Sequence, residues 1–489
     1  MRTQTAVKGG ALISFRSRLS TVTAALSALV FACTGSPIAG GEAGRRPNIV
    51  FIMADDLGYG HLGCYGQKLI RTPNIDRLAA QGMRFTQCYA GAAVCAPSRS
   101  VLMTGLHGGH TSVRGNSGGI PLLPEDVTVA EVLRQTGYVT GLFGKWGLGE
   151  YGTAGVPTRQ GFDEFFGYLH QIHAHFYYPE YLWHNDRKYA LEGNDGKSGR
   201  YTHDEIVAKA LDFVGRHKGE PFFAYIPFAV PHYELLVPED SLREYRGKFP
   251  ETPYRGRGRR AGYPSDYGKQ PTPKAAIAAM ITRMDRSVGR ILALLKELGV
   301  DDNTIVFFTS DNGPSYGPGD PAFFKASGGL RGVKASLYEG GIRVPMIVRW
   351  PGKVHAGSVS EHPWYFADVM PTLAEIGGTR PPQEIDGISV VPALLGEVAA
   401  GRKQRAHEYM YWEGGKCRAV RAGRWKAIRE TKPGARLELY DLEDDVCESR
   451  NVAADHPNVA AKMKAYLEKA HARPRPQIEP TKPEGRQYQ

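Results

Sequence analysis

From Ile49 to Met53 the chain is continuously apolar and then stops at Asp55-Asp56-Leu57-Gly58; from Ile305 to Phe308 it does the same before Ser310-Asp311-Asn312-Gly313. Unbroken apolar runs of this length predict strands buried on both faces, as in the middle of a parallel sheet. Two further strand-like runs are Val139–Phe143, leading into Gly144-Lys145-Trp146-Gly147, and Pro221–Pro227, with His232 shortly after. Between these runs apolar positions recur at helical spacing. They do so over Val127–Thr136, closed by Gly137; over Thr202–His217, with Ile206, Ala210, Leu211, Phe213 and Val214 on one face; and over Lys274–Leu298, closed by Gly299. A shorter helix opens near Pro73 and stops at Gly82, after which Phe85 leads toward a loop around Cys95.

Strands alternating with helices predict an α/β fold, a large mostly parallel sheet sandwiched by helices. Prolines and glycines loosen the pattern between Pro371 and Arg405. Beyond them Cys417–Glu430 and Arg436–Tyr440 read as short antiparallel strands and Asn458–His471 as a closing helix, a small C-terminal α+β subdomain. The expected organisation is an N-terminal signal and linker over 1–44, a catalytic domain over 45–400, the subdomain over 401–472 and a disordered Pro-rich tail over 473–489. Aromatic residues crowd between Phe162 and Tyr189. Core packing with a large irregular loop is the plain reading, and a sugar-stacking wall the functional one.

With 489 residues, 42% hydrophobic and 23% charged, the chain has the size for one large domain and a smaller one. Arg2, Lys8, Arg16 and Arg18 precede an apolar stretch from Leu19 to Ala32, too short to span a bilayer comfortably and patterned as an export signal. A periplasmic, cell-surface or extracellular location is therefore expected. Val30-Phe31-Ala32-Cys33 is an imperfect lipoprotein box, so a lipid anchor at Cys33 is the alternative to simple secretion. The net charge of +11 suits an anionic substrate, but by itself it suits nucleic acid or a membrane equally well. The Arg-rich stretch Arg243–Arg260 reads as a solvated loop, with a polyanion-binding rim as the alternative. Six cysteines do not make a disulfide scaffold in so long a chain, although Cys417 and Cys447 flank a hairpin-like region and could pair in an oxidising compartment.

Asp55, Asp56, Asp311 and Asn312 offer only oxygen ligands, the preference of a hard cation such as calcium or magnesium, and no His/Cys spacing suggests zinc. Either pair alone is also common in ordinary turns. Cys95 alone would read as a small inert thiol. However, Cys95-Ala96-Pro97-Ser98-Arg99, continuing to Thr104-Gly105, resembles the maturation signature of the formylglycine-dependent (type I) sulfatases, in the alkaline-phosphatase-like superfamily. The resemblance extends through Thr72-Pro73-Asn74-Ile75-Asp76, Glu339-Gly340-Gly341-Ile342-Arg343-Val344-Pro345 and Leu439-Tyr440-Asp441-Leu442.

That resemblance implies that a formylglycine-generating maturation enzyme converts Cys95 to formylglycine (3-oxoalanine), whose hydrate is the nucleophile. It implies that Asp55, Asp56, Asp311, Asn312 and the modified Cys95 bind one divalent metal per chain, usually Ca2+, with Mg2+ permitted by the same ligands. Arg99 would steady the modified residue, Lys145 and Lys334 would contact sulfate, and His232 would face the leaving group. One departure stands out. Family members commonly read Lys-Trp-His, whereas this chain has Gly147 after Trp146. His170, His173 and His175 follow in the next loop, and His173 or His175 is expected to substitute as a substrate-binding imidazole. The expected activity is hydrolysis of sulfate monoesters of a sulfated carbohydrate, with no nucleic-acid partner. The alternatives are a phosphonate monoester or phosphodiester hydrolase of the same superfamily, and a non-catalytic polyanion-binding relative.

Overall fold

The run beginning at Asn48 forms β1 (Asn48–Ala54), every residue of it buried. In the computed structural model, which describes residues 45–256, 258 and 266–476, it lies near the middle of an 11-stranded sheet. The export signal, Cys33, part of the Arg255–Arg260 run and most of the tail lie outside the described residues. Along β1, Ile49, Phe51 and Met53 enter the apolar core on one face, and Val50, Ile52 and Ala54 the core on the other. A continuous apolar run is what a strand with period-two side chains needs when both faces are covered.

The remaining strands are β2 (Met83–Tyr89), β3 (Val139–Lys145), β4 (Glu164–Tyr168), β5 (Tyr181–His184), β6 (Arg187–Ala190), β7 (Phe222–Pro227), β8 (Thr304–Ser310), β9 (Arg343–Arg349), β10 (Ser358–Ser360) and β11 (Trp364–Tyr365). Their order is β10-β2-β9-β8-β1-β7-β3-β4-β5-β6, with β11 also paired to β2. The sheet is mixed and mostly parallel. β1 runs parallel to both neighbours, with Met53 opposite Pro227 and Ala54 opposite Ser310. β3 runs parallel to β7 and β4. The carboxyl ends of β1, β3, β7 and β8 therefore finish along one edge, where open α/β sheets bind ligands. The helices Thr202–Arg216 and Pro273–Glu297 match their periodic segments closely.

Two local expectations are corrected. The segment around Cys95 is not a loop: Cys95–Thr104 is a fully buried helix that ends at Gly105, where φ is 70° and the N–H returns to Val101 O at 3.0 Å. Pro97 is tolerated because it sits in the first turn, where no intrahelical donor is required of it. The aromatic-rich segment is not mainly irregular either. It supplies β4, β5 and β6, the last two joined by a tight turn with Asn185 at φ 54°. Phe165, Phe166, Tyr168, Phe176, Tyr177 and Trp183 are buried, which favours the packing reading over the sugar wall.

A separate four-stranded antiparallel sheet holds β12 (Met410–Gly414), β13 (Cys417–Ala422), β14 (Trp425–Glu430) and β15 (Leu437–Asp441). Cys417–Glu430, read as strand from the sequence, is thus two strands turning at Gly423, φ 58°. The helix Pro457–Lys469 covers this sheet with Met463, Tyr466 and Leu467. Cys417 and Cys447 are not bonded. Cys417 faces Glu430 across the β13–β14 ladder, while Cys447 Sγ lies 3.4 Å from Gly329 O. Among the described residues no helix is long and apolar enough to cross a membrane.

One buried charge cluster joins the two sheets. Lys426 Nζ lies 2.9 Å from Glu339 Oε1 and 2.9 Å from Glu448 Oε1, with all three side chains fully buried. Burial alone would raise the Glu339 pKa, but Lys426, Arg343 and Arg421 together hold it down to about 2. Its stabilising contribution is therefore present above the ordinary value of 4.5 and fades as pH falls toward 2. Lys426→Met keeps the stem and removes the charge, leaving two carboxylates buried against each other. It is expected to cost about 3–5 kcal/mol in urea denaturation. A loss below about 1 kcal/mol would mean that the cluster is not the buried ion network seen here.

Candidate active site

The chain leaves β1 at Asp55 and turns sharply at Asp56, whose φ of 65° is in the left-handed region that carboxamide and carboxylate residues tolerate best. The end of β8 pins this turn. Asp56 N–H donates to Asp311 Oδ1 at 3.1 Å, and Leu57 N–H to Ser310 Oγ at 2.9 Å. A non-glycine residue held so at a strand end is backbone strain of the kind found at functional sites.

Cys95 faces this turn from the first position of its helix. Its Sγ is 3.3 Å from Asp55 Oδ1, 3.9 Å from Asp56 Oδ1 and 3.4 Å from Lys334 Nζ. The helix has no side-chain cap of its own; instead Asn116 Oδ1 accepts the Ala96 N–H at 2.9 Å. Arg99 lies one helical turn beyond Cys95, and its Nε and Nη2 donate to Asp311 Oδ2 at 3.1 and 2.8 Å. Arg99 Nη1 also donates to the carbonyl of Lys145, tying the helix to the end of β3.

Lys145 Nζ sits 2.7 Å from Asp55 Oδ2, and Lys334 Nζ 2.7 Å from Asp56 Oδ1. Lys334 is held by a loop whose N–H groups at 334 and 335 donate to Pro314 O and Ala93 O, at 2.9 and 2.8 Å. Asn312 Nδ2 donates to Asp56 Oδ1 at 2.8 Å. Asp55, Asp56 and Asp311 are thus matched by Lys145, Lys334 and Arg99, all buried except Lys334, whose side chain keeps 10% of its surface exposed. Burial, and then the charge of Asp55, push the Asp311 carboxyl up, against Arg99 and the lysines. Burial, then Asp311 and Asp55, push the Cys95 thiol up. Desolvation lowers the Lys334 pKa, but Asp56 and Cys95 more than reverse it.

His232 follows β7 in a loop that passes over Asp56, with Nε2 3.5 Å from Asp56 Oδ2 and Nδ1 3.3 Å from the Tyr267 hydroxyl. The loop is fixed from two sides. Asp55 N–H donates to Val230 O at 3.1 Å, and the Tyr177 hydroxyl donates to Ala229 O and His232 O at 2.8 and 2.6 Å. His175 stacks on His232 with ring centroids 3.9 Å apart and planes 8° from parallel. His173 instead packs among Tyr168 and Tyr181, at 5.1 and 4.8 Å, where burial pulls its imidazole down to about 3. The expected residues Asp55, Asp56, Cys95, Arg99, Lys145, His232, Asp311, Asn312 and Lys334 therefore converge. His175 joins them through His232, and His173 belongs to the aromatic packing.

Asn116 and Tyr267 are not among the residues expected from the sequence, and Tyr177 is expected there only as one of the crowded aromatics. Asn116 lies in a polar loop and the two tyrosines in aromatic company, so nothing in spacing marks them.

Ligand atoms of Asp55, Asp56, Cys95 and Asp311 all lie within 4.8 Å of one another. Asn312 Oδ1 is buried beside them with no hydrogen-bond partner among the described residues. Clustered buried oxygens and an orphaned amide carbonyl suit a hard divalent cation.

Residues 47–379 match the family described as Sulfatase, and residues 333–473 match one described as N-sulphoglucosamine sulphohydrolase, C-terminal. The chain is 33% identical to an N-acetylgalactosamine-6-sulfatase of Canis lupus familiaris, covering 87% of this chain and 79% of that one. It is 30% identical to an N-acetylgalactosamine-6-O-sulfatase of Bacteroides thetaiotaomicron, covering 88% and 94%. Its fold superposes with a TM-score of 0.67 on a protein solved in complex with its substrate D-glucosamine-2-N,6-O-disulfate, at 25% identity and covering 87% and 97% of the two chains.

Proposed function

This chain belongs to the sulfatase family of sulfuric ester hydrolases, and from that premise we propose that it cleaves sulfate monoesters of a sulfated carbohydrate through a nucleophile formed at Cys95. The observation that carries the reading is the packing of Cys95 Sγ against Asp55 and Lys334 inside a cluster of buried acids and cations. A thiol held so, with its pKa driven up by burial, is a poor nucleophile as it stands. A maturation enzyme supplied with molecular oxygen as oxidant would convert the Cys95 side chain to an aldehyde, its sulfur leaving as sulfide, and addition of water to the aldehyde gives a hydrate with two hydroxyls on one carbon.

One hydroxyl attacks sulfur; the bond from sulfur to the sugar oxygen breaks, and its electron pair leaves with that oxygen. His232, supported at Nδ1 by Tyr267, supplies the departing oxygen with a proton. Loss of a proton from the second hydroxyl then expels sulfate and regenerates the aldehyde. A serine in the same place would stop at a stable sulfate ester, because a covalent intermediate helps only when its second step is also easy.

Asp55, Asp56, Asp311, Asn312 and position 95 would hold one divalent cation, calcium or magnesium. Such an ion supplies Lewis-acid stabilisation of charge on the sulfuryl oxygens. Lys145 and Lys334 provide cations from the sides, and Arg99 fixes Asp311. The relatives are named for N-acetylgalactosamine sulfates, and the solved complex holds a sulfated glucosamine; these support a carbohydrate substrate. The basic and then apolar N-terminus supports export.

Parallel assays with an aryl sulfate and an aryl phosphonate test the reaction class. We expect kcat/KM to be higher on the sulfate, and a higher value on the phosphonate would overturn the assignment. Treatment with a chelator is expected to abolish sulfate turnover, with recovery on adding calcium or magnesium. Full activity after exhaustive chelation, with the metal shown absent by elemental analysis, would remove the metal from the account.

A further inference from the structure

The position where the motif that this chain resembles would place a histidine is not simply empty. Gly147 adopts φ 78°, a conformation that favours glycine, and a Cβ built on it would lie 2.5 Å from Gln171 Oε1. The space through which a side chain at 147 would leave the backbone is occupied by the Gln171 amide. Gln171 is 1% exposed, and both its Oε1 and its Nε2 are buried without a hydrogen-bond partner among the described residues. An unpaired buried polar group pays its desolvation without a compensating hydrogen bond. Folded chains rarely keep both ends of an amide in that state unless something that binds later satisfies them.

The surroundings indicate what that would be. Gly147 follows Lys145 by two residues, and Lys145 Nζ is on Asp55. The stretch that carries Gln171 is anchored on either side of it. Next to it, the His170 ring lies against Gly118, where a Cβ would come within 2.7 Å, and Gly118 is two residues from Asn116, which caps the Cys95 helix through Ala96. Farther on, His175 stacks on His232 beside Asp56. Gln171 thus sits against Gly147 in a stretch whose flanking histidines touch the loop that caps the Cys95 helix and the histidine over the carboxylates.

We propose that Gln171 binds the sulfuryl group, its amide N–H donating to a sulfate oxygen from the place vacated by the missing histidine; the inference rests on the sulfatase reading. A carboxamide does not take up a proton near neutral pH, so Gln171 holds the group without moving protons. The departing oxygen and the breakdown of the intermediate are left to imidazoles, His232 first.

The test uses full-length, matured protein with Gln171→Ala, Gln171→Asn and Gln171→Glu. Three quantities are measured: kcat and KM on an aryl sulfate, the affinity for inorganic sulfate by calorimetry, and the thermal midpoint. Gln171→Ala is expected to lower kcat/KM and weaken sulfate binding by about 10- to 100-fold, the range for a hydrogen bond to a charged group. Its thermal midpoint should stay level or rise, because an unsatisfied amide is removed. Gln171→Asn should fall between wild type and alanine, and Gln171→Glu below alanine, since it sets a carboxylate against an anion. Wild-type sulfate affinity and kcat/KM in Gln171→Ala would overturn the proposal. So would losses in the alanine variant that merely follow a lowered thermal midpoint. Calorimetry separates the two readings. A wild-type protein that binds sulfate through Gln171 but does not turn over the ester defeats the activity alone, whereas turnover with Gln171-independent binding defeats this inference alone.

Discussion

Cys95→Ala is expected to lower kcat for sulfate esters by about 10^4-fold or more while changing folding stability by no more than about 1 kcal/mol. The two halves of that expectation have different causes. Cys95 occupies the first position of its helix, where alanine is well tolerated and where the residue closes no intrahelical N–H bond. Among the described residues its Sγ hydrogen-bonds Asp55, Asp56 and Lys334, and the two acids keep their partners Lys145, Lys334 and Asn312 without it. Fold and charge balance survive; the reacting atom does not. Cys95→Ser is the sharper variant. It keeps one hydroxyl at the same place and lacks the second, so it should release at most one equivalent of alcohol per chain and accumulate a protein heavier by one SO3. Sustained turnover by Cys95→Ser would show that one hydroxyl suffices and would remove the need for the aldehyde.

Asp311→Ala should be almost as damaging to activity, and unlike Cys95→Ala it should also destabilise. Asp311 does three things at once. Its Oδ2 receives both Nε and Nη2 of Arg99, its Oδ1 receives the N–H of Asp56, and its carboxylate belongs to the cluster that suits a cation. Without it Arg99, which is almost wholly buried, loses its carboxylate, a loss worth about 3–5 kcal/mol for a buried pair. The turn at Asp56, held at φ 65°, loses one of its ties to β8. We expect kcat/KM to fall by about 10^3-fold, the scale of losing a major electrostatic group, and divalent-cation affinity to fall with it. Asp311→Asn should recover part of the stability, since an amide oxygen still accepts from Asp56 N–H, but little of the activity. Near-wild-type stability in Asp311→Ala would mean that Arg99 finds another partner and that the ion pair is not what shapes this turn.

The strands that carry this site were legible because they are buried on both faces. β1 and β8 are apolar throughout their middles, and each ends abruptly in the acids that the site uses. Parallel pairing of β1 with β7 and β8 then brings Asp55, His232 and Asp311 to one edge, a consequence of topology rather than of any single motif. The helix at Cys95 escaped notice because its core-facing side is its whole surface. With every residue from Cys95 to Thr104 buried, small and polar residues such as Ser98 and Ser100 sit inside, and no apolar stripe emerges. β5 and β6 escaped because they are short, and β6 is largely exposed. The contacts beyond the first ring of residues were the least legible. Asn116, Tyr267 and Gln171 reach the site from separate loops, through distances that no spacing encodes. The absence of histidine at position 147 could be read from the chain, but what fills its place could only be seen once Gly147 and Gln171 were set side by side.

The reaction turns on the chemical identity of residue 95, which the mass of the tryptic peptide Phe85–Arg99 reads out. The protein is produced alongside an active formylglycine-generating enzyme, whose competence is shown on a control substrate in the same cells. Cys88, buried in the core in the same peptide, serves as the internal unmodified thiol. The expected peptide has one sulfur replaced by oxygen with loss of two hydrogens, located by fragmentation at residue 95, and a thiol retained at residue 88. Two intact thiols in a preparation that hydrolyses sulfate esters would contradict it.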